Sequence, residues 1–453
     1  MAALSDADAE VRAAAATSLG SPEHVDAYEQ VAKLLADADP RVRRQAALSV
    51  GGMHEGAGDS AARTVAALAP LLRDADEQVV DGTARALGEI GGDAAVAALA
   101  EALHDPRDAV VGDAAQALNQ AGGPAATRAL IDLVRRESVA NAYSSMYMHY
   151  LLNMDDIAVE ELVPLLTDPD DRMRETAGTA LWGAGARAFP AVIPYLSHED
   201  AEVRARAAKI LVGHEERPDP AIFLPLLLDE DMTVRWYAER GLSGDQAVSA
   251  LIDALDHQDV RIAAAVARLL GRADSPRAFD PLMKALHGER TPVAQAAAEA
   301  LGTFGDARAV DALLEVLSGD RQALRPYAAA SLGRLGDARA LEPLLAALAA
   351  SEPEMRMRAA EGLGGLADAG AIDGLIDALH DSSQEVRRAA SYALGQIGEP
   401  AIDRLAELVN SEDDWLAYGS RCALIAMNNP RASAVVARAQ PREMDLDLSL
   451  IHI

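Results

Sequence analysis

Apolar residues return along this chain with a helical rhythm. Val310, Leu313, Leu314 and Leu317 fall at i, i+3, i+4 and i+7, and Leu341, Leu344, Leu345 and Leu348 repeat that spacing. Each set lays one apolar stripe along a helix. Val386, Ala389, Ala390, Ala393 and Leu394 form a third stripe, and strand-like alternation is absent from these segments. Gly92-Asp93, Gly244-Asp245, Gly305-Asp306 and Gly336-Asp337 stand between stripes. Each pair places a helix-ending Gly before an Asp able to cap the next helix. The pattern therefore predicts short helices in succession.

The pattern is also self-similar. In residues 305–348 one unit runs from Gly305 and begins again at Gly336. A marker dipeptide, Val-Arg or a near variant, recurs at Val11, Val42, Val79, Val110, Met173, Val203, Val234, Val260, Val293, Leu324, Met357, Val386 and Leu416. With one degenerate unit between Val110 and Met173, this gives about fourteen two-helix repeats of about 31 residues each, within the range of solenoids. A two-helix unit cannot bury its apolar stripes alone, so neighbours must stack. The expected result is an all-α, right-handed superhelix with a long concave surface lined by the second helices, read as acidic. It is expected to be one solenoid over residues 1–440, with an irregular repeat at 137–156 and a non-repeat tail at 441–453.

An Asp stands six positions before the marker Arg in Asp6/Arg12, Asp37/Arg43, Asp168/Arg174, Asp229/Arg235 and Asp381/Arg387. With this feature the chain resembles the HEAT family, a HEAT/armadillo-like solenoid, and its short units are similar to the phycobilisome-lyase type of HEAT-like repeat. The resemblance implies a ladder of Asp and Arg between neighbouring second helices. Asp37, Arg43, Asp168, Arg174, Asp229, Arg235, Asp381 and Arg387 are accordingly expected to be structural. Val80 and Val111 replace the Arg opposite Asp74 and Asp105, so rungs should fail there.

Composition narrows the setting. Of 453 residues half are apolar but only 4% aromatic, so burial must come from Ala, Leu and Val. The net charge is -30, and lysine occurs only at Lys33, Lys209 and Lys284. An acidic, lysine-poor chain resembles the proteins of halophilic archaea, in which carboxylates keep the surface hydrated at high salt. Nucleic acid would meet net repulsion. No apolar run approaches the roughly 20 residues of a membrane helix, and a cytoplasmic protein is expected. Cys422 is the single cysteine, which excludes internal disulfides and multi-cysteine metal sites.

Two departures from the repeat are candidate binding features. Tyr143, Tyr147 and Tyr150 make an aromatic stripe at i, i+4, i+7, with Met146, Met148 and Met154 interleaved. The stripe is either a bulkier core at an irregular junction or a partner-binding patch. Trp236 follows the marker Arg235, at i+2 from Val234, and is expected to point away from the core stripe. The start, ALSDADAEVRAAAATSLG, matches the loop and second helix of a unit whose first helix is missing. The end, DLDLSLIHI, alternates like a strand, and its last six residues resemble a translated sequencing adapter rather than natural sequence.

The chain carries few chemical motifs. Deoxyhypusine hydroxylase, a HEAT-like protein, holds two irons through His-Glu pairs just after the marker. Here His54-Glu55, His198-Glu199 and His214-Glu215 fall outside those positions, which carry Arg44-Gln45, Ala205-Arg206, Trp236-Tyr237 and Arg388-Ala389. No G-x-S-x-G, H-E-x-x-H or phosphate-binding loop is present. The sequence therefore reads as a non-enzymatic protein-binding scaffold without cofactor or metal. The alternative is an enzyme or enzyme accessory of the bilin-lyase or hydroxylase-like HEAT group.

Overall fold

Second helices start where an acidic side chain can catch the first free backbone N–H groups. Asp8, Asp39, Asp76, Asp170, Asp200, Asp231, Asp259 and Asp413 each cap one, and Ser383 caps another. The computed structural model describes residues 2–53, 59–136, 144–152, 157–214 and 216–439. Those residues form helices and connections, with no strand among them.

The second helices are α1 (Ala9–Leu19), α2 (Pro40–Gly52), α3 (Glu77–Ile90), α4 (Asp108–Ala121), α5 (Ser144–Leu152), α6 (Asp171–Gly183) and α7 (Ala201–Val212). They continue with α8 (Met232–Gly241), α9 (Val260–Arg272), α10 (Thr291–Phe304), α11 (Arg325–Leu335), α12 (Pro353–Leu366), α13 (Gln384–Ile397) and α14 (Asp414–Ala426). The chain divides into two units, Met1–Pro218 and Asp219–Ile453, each a stack of helix pairs. The architecture is the expected α-α superhelical solenoid.

Several first helices are shorter and tighter than the second helices they precede. At Ala69–Arg73, Val163–Thr167, Ile193–Ser197 and Pro225–Leu228 the backbone narrows to 3-10 geometry, each time with a Pro at its first or second position. Proline lacks the N–H that an α-helical turn would need further in, and a short 3-10 turn accommodates it. Gly305 and Gly336 end their helices in the left-handed region, and Asp306 and Asp337 cap the next turn, as expected. Asp93 and Asp245 differ: the cap positions are Gly91 and Gly244, and both Asp residues lie in the first turn.

The core is a seam of Ala, Leu and Val between first and second helices. Val42, Val79, Met173, Val203, Val234, Val293 and Val386 are all buried, as the marker reading requires. The register differs at two places. Met355, not Met357, is the buried marker of α12, with Arg356 as its Arg. In α9 the buried residue is Ile262 rather than Val260, because the helix starts two residues later relative to the marker than in its neighbours.

Consecutive second helices meet through glycine. Gly88, Gly302 and Gly364 each stand twelve residues after the helix cap, and each faces the next second helix. A Cβ at Gly302 would lie 2.5 Å from the Ser331 Cβ and 2.7 Å from its Cα. At Gly271 it would lie 2.6 Å from the Ala300 Cα, at Gly333 2.5 Å from the Gly362 Cα, and at Gly88 3.0 Å from the Ala117 carbonyl oxygen. These helices are in backbone contact. Where Trp182 takes the glycine position of α6, and where α8 ends at Gly241 before reaching it, the following second helix of the same unit stands further off.

Gly302→Ala should therefore lower stability by about 1–3 kcal/mol, because overpacking outweighs the gain in helix propensity of about 1 kcal/mol. Gly112→Ala in α4 is the control. Its nearest neighbour is the Met146 Cε at an ordinary 3.5 Å, so that variant should be neutral or slightly stabilised in the same urea titration.

Candidate functional site

The marker Arg residues reach across repeats. Arg43 donates through Nε and Nη2 to the two oxygens of Asp74, at 2.8 and 2.9 Å, and through Nη1 to the carbonyls of Asp37 and Ala38. Arg12 does the same with Asp37 and the carbonyls of Asp6 and Ala7, and Arg356 with Asp381 and the carbonyls of Ala350 and Ser351. The Asp and Arg six residues apart are thus joined through the Asp carbonyl. The carboxylate itself receives the Arg of the preceding repeat and also accepts the N–H of the following cap residue. Hydrogen bonds from Arg12, Arg43 and Arg356 hold Asp37, Asp74 and Asp381 below the usual carboxylate range.

The remaining expected rungs show the same inner bond with different outer partners. Arg174 donates to the carbonyls of Asp168 and Pro169, Arg235 to those of Asp229 and Glu230, and Arg387 to those of Asp381 and Ser382. The Asp168 carboxylate accepts from Arg135, and the Arg387 guanidinium lies 3.8 Å over the Trp415 ring.

Val80 does not leave its junction open. Arg107 occupies the cap position of α4, forks onto Asp105 and donates to the Asp74 carbonyl at 2.7 Å. Arg290 and Arg321 stand in the same position of their repeats, and reach back to the carbonyls of His257 and Gly288. A cation at a helix N-terminus opposes the helix dipole, and carbonyl oxygens of the preceding repeat offset that. The signal was present in the sequence as Arg three residues before the marker.

The candidate binding residues separate. Tyr143 lies outside the described residues. Tyr147 is 1% exposed, so it is a core residue and not a surface anchor. Met146 and Tyr150 are half-buried, and the Asn119 amide donates to the Tyr150 carbonyl. Burial of Tyr147 follows from the irregular repeat: α5 lacks the Ala-rich face of its neighbours, and a large ring fills the space. Trp236 is elsewhere, on α8, 51% exposed and packed edge-on against Tyr237, with the Arg240 guanidinium 5.1 Å from its ring centroid. Met232, one turn earlier, is 74% exposed.

Charge is not distributed as an acidic second-helix surface throughout. From α8 to α14 the second helices carry twelve basic and six acidic residues, so the acidity of that unit resides in first helices, caps and loops. In the other unit Glu77, Asp81, Glu89, Asp108 and Asp113 stand on α3 and α4 with Arg85. Burial, then repulsion from Asp81 and Glu77, pushes Asp113 up to about 6.

His198 and His214 lie between helices, and His54, Glu55 and Glu215 fall outside the described residues. Among the described residues no three or more His, Cys, Asp and Glu side chains gather as a metal site, and no helix is long and apolar enough to cross a membrane.

Paired helices, a cross-repeat Asp–Arg ladder and glycine contacts define an α-helical repeat protein. HEAT repeats match residues 1–84, 65–144, 159–243, 220–302, 279–352 and 341–425, and the chain belongs to the HEAT-repeat family. No curated protein matches it by sequence. Similar solved structures include the karyopherin Kap121p, 13% identical with a TM-score of 0.45, covering 94% of this chain and 52% of that one. An engineered protein is 20% identical with a TM-score of 0.24, covering 94% of this chain and 98% of its own. The complex of CpcE and CpcF of phycocyanin lyase from Nostoc sp. PCC7120 is 22% identical with a TM-score of 0.34, covering 49% of this chain and 94% of the other. The chain spans about half the length of Kap121p.

Two outcomes test the electrostatics. Asp74→Asn should lose about 1–2 kcal/mol at neutral pH, since it removes a charge-assisted pair that is largely shielded from water. The Asp74 carboxyl is depressed in the fold, so its contribution is present above the ordinary carboxylate value and lost as pH falls through the folded one. The wild-type advantage should therefore begin to shrink near about pH 4 and vanish only at lower pH, below the depressed folded value, in acid titrations. Asp113 has the opposite sign: raised in the fold, it favours folding below its unfolded value, and that contribution is lost as pH rises through about 6. Asp113→Asn should stabilise the protein by about 1 kcal/mol at pH 7, after allowance for screening, and have little effect near pH 4, as read from thermal midpoints.

Proposed function

We propose that this protein is a non-enzymatic scaffold that docks a protein partner on the exposed side of its second helices. The observation that carries the reading is the exposed pair Met232 and Trp236 on α8. Large apolar side chains are costly to leave in water, and Trp, Met and Arg recur as anchors of protein interfaces. Around this pair the second helices carry more basic than acidic residues, so the anchor is aromatic and aliphatic rather than an acidic groove. The ladder residues and the buried Tyr147 belong to the scaffold in this reading.

The family matches cross residue 218 without a break, which supports one continuous run of repeats, expected to extend to about residue 440. The short units support the phycobilisome-lyase type of HEAT-like repeat. The acidic, lysine-poor composition supports a salt-adapted archaeal origin and a cytoplasmic setting. No specific observation favours the bilin-lyase or hydroxylase alternative.

Trp236→Ala separates docking from folding. Affinity capture at high salt, followed by mass spectrometry, should recover a partner with the wild type and at least tenfold less with the variant, since truncating an interface hot spot costs about 2 kcal/mol or more. Their thermal midpoints should agree. Equal recovery by both proteins, or metal or pigment bound to the purified chain, would remove this reading.

A further inference from the structure

Among the described ladder arginines, Arg174 has a buried donor without an acceptor. Arg12, Arg43 and Arg356 each give Nε to the carboxylate of the next repeat. In α6 the corresponding residue is Arg174, but the next repeat presents His198 where Asp37, Asp74 and Asp381 face those three arginines; His257 holds the same place before α9. His198 keeps only the local half of the role, because its Nδ1 accepts the Asp200 N–H at 3.1 Å, as Asp37 Oδ1 accepts that of Asp39 at 2.9 Å. Arg174 still binds the carbonyls of Asp168 and Pro169 through Nη1, and its Nη2 turns to Asp171 on its own helix at 2.9 Å. Its Nε is buried and meets no acceptor.

A second orphaned guanidinium converges on the same carboxylate. Arg206 of α7 places Nη2 3.8 Å from Asp171 Oδ1 and 3.0 Å from Glu202, while its Nη1 is buried without an acceptor. The arginine side chains are 20% and 11% exposed, whereas Asp171 and Glu202 are 77% and 59% exposed. The carboxylates are therefore screened by water and the arginine donors are not. A buried charged donor without an acceptor is costly, and an ion or water is the usual remedy.

We propose that Arg174 and Arg206, at the α6–α7 junction, bind a small monovalent inorganic anion of the chloride class. The anion takes the place of the carboxylate that Asp37, Asp74 and Asp381 supply to Arg12, Arg43 and Arg356. The site couples anion concentration to the packing of two neighbouring repeats, because only the folded stack brings the two arginines together.

The test uses the whole chain, with chloride as the probe. At constant ionic strength and pH, replacing chloride by gluconate should lower the thermal midpoint of the wild type by about 2–4 °C, and chloride NMR lines should broaden in its presence. His198→Asp restores the missing carboxylate. That variant should be at least as stable as the wild type and lose both the chloride dependence of its midpoint and the line broadening. Arg206→Gln should weaken both without supplying a carboxylate. Equal wild-type midpoints in the two salts, with no line broadening, would mean that water serves the two donors and would overturn the proposal. Full retention of the chloride effect in His198→Asp would place the anion elsewhere and overturn it as well.

Discussion

Backbone-to-backbone contact between consecutive second helices is the constraint on which this protein depends. Gly88, Gly271, Gly302, Gly333 and Gly364 remove the side chain where two helices would otherwise be held apart, and the facing residues are Ala, Ser or Gly. The spacing this sets explains the composition. A helix contact at such short range has no room for aromatic rings, and the buried rings Tyr147, Phe189, Phe223 and Phe279 lie away from it, so few aromatics in the apolar half of the chain follow from the geometry. It also explains why Ala recurs on the second helices while Leu and Val line the seam with the first helices. Dispersion across this contact is gained only while the helices remain in register, so another interaction must prevent them from sliding.

That interaction is supplied by arginine. One guanidinium binds two carbonyls of its own loop and a carboxylate of the next, which fixes three points across a repeat junction. A continuous apolar seam does not choose among offsets of one residue or one turn, whereas a bidentate ion pair with fixed fork geometry does. The same need is met in a second way at Arg107, Arg290 and Arg321, where the cation sits in the cap position and reaches back one repeat. The carboxylates engaged as caps and rungs give much of the chain's acidity a structural role before any role in solvation, and they explain why the acidic residues are spread along its length.

The repeat and its helix pairs were legible in the sequence because each depends on local spacing that recurs. The register differs in α12 because it contains both Met355-Arg356 and Met357-Arg358, which only burial distinguishes, and in α9 because the helix begins at the marker itself. The substitution of Arg107 for the missing rung at Val80 could have been read from an Arg in a position otherwise held by Asp, but the reach of that side chain into the preceding repeat could not. Tyr147 was ambiguous for a different reason. An aromatic stripe at helical spacing is compatible with either face, and which face is buried depends on neighbours the stripe does not encode. Trp236 was more readable, since its offset from the buried Val234 carries its direction, and its exposure agrees.

Specialised surface in such a fold arises where the stacking rule relaxes. A repeat held at glycine distance on both sides has its second helix committed to small residues, and bulky side chains there would separate the helices. The α6 helix breaks the rule by placing Trp182 at the glycine position, and α8 breaks it by stopping short. The Trp of each is about half exposed, and His198 replaces the ladder Asp in the repeat that follows α6. At α6 the loss of the close contact and the loss of a regular rung thus occur in the same part of the unit, at a cost in packing that the remaining repeats offset by cooperative stacking. A scaffold needs this division, because long runs of regular repeats supply rigidity and the few irregular ones can carry side chains shaped by something other than their neighbours.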